Sequence, residues 1–280
     1  MRDQFATLAL RSVVIASMGA TFQSGRTQTH PMAQFLTEQQ MVETGGRLFQ
    51  RHCMGCHGTD AKGTGKAAVM LDPKPRNLVE GSFKFRSTPT GSLPTRADLL
   101  RTIDQGVPGT SMPSFRELDG PSKMSLVLYV QGLRPAWKES QGVPLRFPEP
   151  PAEVFGTKAQ LVSAATRGYK TYSEVCMTCH GSTGLGDGES APGLVDGENR
   201  PIHPANFSRP FIKSGRDPRD VYKAIATGLD GTPMPGFDGV YDEKTLWDLV
   251  AYVMFRRGQG SGLYAPDLAL GAQQKDSVKK

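Results

Sequence analysis

The chain is 280 residues long, room for two domains of ordinary size. Hydrophobic residues make up only 38%, lean for one large core, while 32 glycines and 21 prolines point to many loops. The net charge of +6 suggests an acidic partner or surface, but without basic–aromatic interleaving or a nucleic-acid motif no nucleic acid is expected among the partners.

Residues 1–25 read as an export signal: Arg2 and Arg11 precede an apolar run, Val13 to Ala20, too short to span a membrane. A first helix is predicted over 37–52. Thr37 with Gln40 makes a capping box, and Met41, Gly45, Leu48, Phe49 and His52 share one face. It leads into Cys53-Met54-Gly55-Cys56-His57. After a Gly- and Pro-rich stretch a helix is predicted over 96–105, with Gly106 as its stop, then the loop Gly109-Thr110-Ser111-Met112-Pro113 and a helix over 121–134. Residues 136–156, with Pro144, Pro148, Pro150 and Pro151, read as a semi-rigid linker.

The pattern then restarts. A helix over 157–175 enters Cys176-Met177-Thr178-Cys179-His180. Another over 218–227 stops at Gly228, and Gly231-Thr232-Pro233-Met234-Pro235 follows. A last helix is predicted over 242–257, and 259–280 form a loose basic tail.

C-x-x-C-H is the attachment signature for c-type haem. Residues three apart share a helix face, so both thiols reach the two vinyl groups of one porphyrin. The adjacent His offers its imidazole to the iron. The competing readings are a redox dithiol or half of a zinc site. One zinc shared by both pairs would leave the paired histidines and their duplicated surroundings unexplained. All four cysteines are used in the two motifs, so two haem c are expected, on Cys53 and Cys56 and on Cys176 and Cys179, with His57 and His180 as iron ligands. Gly63-Thr64-Gly65 and Gly184-Leu185-Gly186 follow these motifs rather than strands, so they are turns and not phosphate loops. His30, His52 and His203 are read as surface or packing residues.

The halves repeat one unit. His57 precedes Met112 by 55 residues and His180 precedes Met234 by 54; Asp98 and Asp220 each lie 14 before their Met; Gly45 and Gly168 each lie 8 before the first Cys. Pro75-Arg76-Asn77-Leu78 matches Pro204-Ala205-Asn206-Phe207. Residues 37–135 and 157–258 each resemble a class I cytochrome c domain, and the chain is similar to bacterial dihaem cytochromes c.

That resemblance implies an all-α fold, with a few short helices around each haem. It implies Met112 and Met234 as the sixth iron ligands, and Thr110 and Thr232 as contacts to haem propionates. Arg76 could pair with a propionate. The family commonly ties the other nitrogen of the proximal His to a Pro carbonyl about a dozen residues on. Pro192 fits that role for His180, whereas the same offset from His57 falls on Val69, leaving its partner open. The resemblance also implies that the first and last helices cross at Gly45 with Tyr129 and at Gly168 with Tyr252.

Irons closed on both sides by His and Met suit electron transfer rather than catalysis, so no small-molecule substrate is expected. The alternatives are a peroxidase-like dihaem enzyme and a permanent cytochrome subunit of a respiratory complex. A thiosulfate dehydrogenase would need a spare cysteine on one iron, and none remains. Residues 37–135 carry 13 Lys/Arg against 9 Asp/Glu, a net of +4, whereas residues 156–258 carry 12 of each. The first half is therefore expected to dock an acidic redox protein, in the bacterial periplasm, with a membrane-bound complex as one source or sink of electrons.

Overall fold

The computed structural model describes residues 36–139 and 142–260. The expected signal at 1–25 and residues 261–280 of the tail lie outside them. Both halves belong to one unit that begins at Leu36. The described residues form helices and loops, with isolated bridges such as Val195 to Pro201 in place of strands.

The first half runs α1 (Glu38–His52), α2 (Met54–His57), a short 3-10 turn (Ala68–Met70), α3 (Arg96–Gln105) and α4 (Gly120–Gly132). Two four-residue helices follow, α5 (Ala136–Glu139) and α6 (Ala152–Phe155). The second half runs α7 (Lys158–Val175), α8 (Met177–His180), α9 (Pro218–Thr227) and α10 (Glu243–Gly260). The capping box at Thr37 forms as the sequence predicts: its hydroxyl accepts from the Gln40 amide and the Gln40 side chain accepts from the Thr37 amide. Asp119 and Asp242 cap α4 and α10 by accepting from the Ser122 and Thr245 amides, each at 2.7 Å.

Each half is organised by its first helix crossing its last. A Cβ on Gly45 would lie 2.6 Å from the Ser125 carbonyl carbon and 2.8 Å from the Tyr129 Cβ. One on Gly168 would strike the Asp248 carbonyl and lie 2.9 Å from the Leu249 nitrogen. Only glycine permits backbones to pass this closely. In the second half the glycine thus meets backbone, and Tyr252 packs on Tyr172 with ring centroids 4.4 Å apart.

The Pro-rich connection does more than separate the halves. Trp137 is buried in the first core and its indole N–H donates to the Pro94 carbonyl at 3.1 Å. The Leu145 amide donates to the Ser87 carbonyl at 2.7 Å, while Phe147 is buried in the second core. Proline composition predicts a semi-rigid linker; aromatic anchors on either side, Trp137 in the first core and Phe147 in the second, make it a strap.

Candidate functional site

Each cysteine pair sits on the break between two helices. Cys53 ends α1 and its amide donates back to Phe49, while the His57 amide donates to the Cys53 carbonyl at 2.9 Å. The second half repeats this with Cys176, Tyr172 and His180, again at 2.9 Å. The turn after each His folds back identically: Gly63 donates to the His57 carbonyl at 2.8 Å and Gly186 to the His180 carbonyl at 2.9 Å.

The imidazoles are oriented by backbone. His57 Nδ1 lies 3.0 Å from the Arg76 carbonyl and His180 Nδ1 lies 3.3 Å from the Ala205 carbonyl. A carbonyl only accepts, so Nδ1 carries the hydrogen and Nε2 keeps its lone pair, the form a metal ligand needs. Burial lowers the pKa of both imidazoles, opposed by these same bonds, which favours the neutral form.

Pro192 is therefore not the partner of His180; Ala205 is. Hydrogen bonds from Ser190 to the Thr178 carbonyl and from Ala191 to the Gly188 carbonyl draw residues 188–191 along the attachment turn. The Phe207 amide donates to the Gly184 carbonyl at 2.7 Å and brings 204–207 over the imidazole, where the Phe207 ring stacks on it at 4.8 Å. Leu78 does the same in the first half, donating to the Ala61 carbonyl at 2.8 Å. The partner of His57, which sequence spacing left open, comes from the matching tetrapeptide.

The methionine loops share one geometry. Val107 donates to the Met112 carbonyl and Leu229 to the Met234 carbonyl, each at 3.1 Å. Inside each loop the Thr hydroxyl donates to a carbonyl, Thr110 to Val107 at 2.8 Å and Thr232 to Leu229 at 2.7 Å. Each hydroxyl also accepts from the Met amide two residues on. As arranged, the threonines brace their own loops, and a propionate would have to compete for the hydroxyl proton. The Arg76 guanidinium faces Glu198 of the second half at 3.5 Å.

Burial, followed by the neighbouring Cys56, pushes the Cys53 thiol up to about 11; Cys176 is likewise pushed to about 11, with Cys179 as the second cause. A dithiol oxidoreductase needs the opposite shift, since the thiolate is its nucleophile. Nor do the pairs meet: among the described residues no three His, Cys, Asp or Glu side chains converge as a metal cluster. Adjacent thiols, a pre-oriented imidazole and a half-buried Met on a braced loop, present twice, fit covalent haem with two axial ligands.

The family described as cytochrome c oxidase, cbb3-type, subunit III has a model that matches residues 40–130 and again 163–253. The chain belongs to this cytochrome c family. Its two cytochrome c domains stand in tandem, and it acts in electron transfer. A chain of the Kuenenia stuttgartiensis reducing HAO-like protein complex is similar over 76% of this cytochrome and 96% of its own length, at 35% identity and a TM-score of 0.70. No curated protein matches.

Proposed function

We propose that the protein is a periplasmic dihaem electron carrier, with one haem c on Cys53 and Cys56 and the other on Cys176 and Cys179. His57 with Met112, and His180 with Met234, would close the two irons. Bound haem supplies a reversible one-electron change at its iron. The chain's own residues do the rest. The Arg76 and Ala205 carbonyls fix the imidazoles with Nδ1 as the donor, and burial favours their neutral form. The braced Met loops offer sulfur, which favours the ferrous state and raises the potential. Thr110, Thr232 and Arg76 would contact propionates at the expense of their present partners. His57 with Met112 and His180 with Met234 would leave a substrate no open position on either iron, which is the chemistry of carriage rather than catalysis.

The duplicated braced loop carries this reading. A redox titration of the holoprotein, followed from the ultraviolet to the near-infrared, tests it. Two haems per chain and the near-infrared Met–iron band are expected, and replacing Met112 or Met234 singly should each remove part of that band. A high-spin, water-bound ferric centre at neutral pH would overturn it.

The first domain is the docking face in this proposal. Exposed Val69 and Met70 lie between Lys66 and Lys74, in the half that carries a net of +4. Charge steering predicts that the rate with an acidic redox partner falls as ionic strength rises; a rate indifferent to salt would exclude it. A second reading, a permanent subunit of a larger complex, is favoured by the Kuenenia chain, which belongs to a protein complex. Co-purification of a stoichiometric partner under mild conditions would separate it from a free shuttle.

A further inference from the structure

The two cytochrome c domains grip each other at their methionine loops. Gly109 lies three residues before Met112, and a Cβ there would come within 2.8 Å of the Phe211 ring of the second domain. Gly231 lies three before Met234, and a Cβ there would come within 2.8 Å of Ser82 of the first. Phe211 and Ser82 are themselves equivalent, each five residues after the Asn of the repeated tetrapeptide. The contact is reciprocal: each ligand loop is backed by the other domain.

The reciprocity stops at charge. Arg86, its side chain fully buried, pairs with Asp230 at 2.8 Å, and the same nitrogen donates to the Thr227 carbonyl at 2.8 Å. Thr90 donates to that carbonyl at 3.0 Å, and the Gly91 amide donates to Asp230 at 3.0 Å. Thr227 is the last residue of α9, where an orphan carbonyl and the negative end of the helix dipole favour a cation. Thr227 and Asp230 flank the start of the Met234 loop. The first domain has nothing comparable on its own loop: by position in the repeat, Asp230 is replaced by Pro108 and Arg86 by Gly215.

We propose that Arg86 is a positioning residue for the Met234 loop, so that the axial sulfur of the second iron is held in place by the first domain. This rests on the axial reading above. For Met234 to leave an iron, the loop must move. Movement that carries Asp230 away strands a buried guanidinium and an acidic side chain that is itself largely covered. The open state is thereby depopulated. An external ligand competing for that iron is weakened by the same factor, because its apparent affinity scales with the fraction of open loop. On the Met112 loop Gly109 faces the Phe211 ring, and among the described residues no ion pair like that of Arg86 with Asp230 ties this loop to the second domain.

The test is imidazole titration of the ferric holoprotein, followed by loss of the near-infrared Met–iron band. Met112→His and Met234→His backgrounds each leave a single Met-ligated iron to watch. In the Met112→His background, Arg86→Gln should tighten imidazole binding at the second iron by about tenfold or more. In the Met234→His background the same change should leave the first iron within about twofold. Arg101→Gln is the control: it breaks another contact between the domains, Arg101 with Asp220 at 2.5 Å, without touching the loop, and should leave the second iron within about twofold. If Arg86→Gln does not accumulate as holoprotein, Asp230→Asn, nearly isosteric, decides by the same readout. No change at the second iron, equal changes at both irons, or an Arg101→Gln effect as large as that of Arg86→Gln would overturn the proposal. Absence of any Met–iron band in the Met112→His protein would instead overturn the axial reading.

Discussion

The second domain is the more heavily reinforced of two halves that repeat one plan. Its crossing of α7 and α10 carries a charge clamp: Arg167 grips buried Asp248 through two bonds, at 2.6 and 2.8 Å, and Lys244 adds a third at 2.9 Å. At the equivalent place in the first domain stands Ser125, buried and uncharged. Tyr172 donates from its hydroxyl to the Gly181 carbonyl just past His180, at 2.5 Å; its counterpart Phe49 has no hydroxyl to give. The buried apolar residues of the second domain form one continuous cluster, whereas those of the first divide between a group around Val127 and another around Phe49. Duplication has kept the groups that would hold haem and let the stabilising devices diverge. Two sites of nearly identical local geometry thus sit in scaffolds of different stiffness.

The glycine crossings should be the point where the halves agree. Gly45→Ala and Gly168→Ala are each expected to cost about 3 kcal/mol, because each new Cβ meets backbone that cannot turn aside. Thermal unfolding of the holoprotein measures this; either alanine tolerated at no cost would mean a looser crossing in that half. The next pair should separate them. Asp248→Ala is expected to cost about 2 kcal/mol, since the cations it abandons are partly exposed and can rehydrate. Ser125→Ala should stay within about 0.5 kcal/mol. Denaturant midpoints compare the two, and equal losses would remove the charge clamp from the account. Tyr172→Phe imports the first domain's residue into the second and should cost about 1 kcal/mol in the same assay, through the lost bond to Gly181.

The smallest effect concerns acid. Asp119 and Asp242 are held below the ordinary carboxyl value of 3.8 by hydrogen bonds from the hydroxyl and amide of Ser122 and of Thr245. A depressed carboxyl stabilises the fold above its unfolded value, and the stabilisation disappears as pH falls through the lower folded value. Asp119→Asn and Asp242→Asn should therefore each make the loss of stability below about pH 4 shallower, and to the same degree in either half. Unfolding midpoints measured between neutral and strongly acidic pH check this.

The sequence exposed what is local and periodic. The capping box at Thr37, the helices over 96–105 and 218–227, and the matched methionine loops all follow from short-range pattern. The imidazole partners were harder to see because they are carbonyls, which leave no side-chain signature. A fixed offset also misleads: Arg76 lies 19 residues after His57, while Ala205 lies 25 after His180. Matching the tetrapeptides Pro75–Leu78 and Pro204–Phe207 was the only signal, and expecting a proline at a set distance led instead to Pro192. Contacts between the halves, such as Arg86 with Asp230, join residues far apart in sequence, and neither partner has a counterpart in the other half to mark it.

The strap formed by residues 142–156 has a kinetic consequence. With Leu145 bonded to one domain and Phe147 sunk into the other, the two redox centres would keep a constant separation and mutual orientation. Passage of charge from one to the other would be unimolecular, insensitive to dilution or solvent viscosity, and only arrival and departure would depend on diffusion.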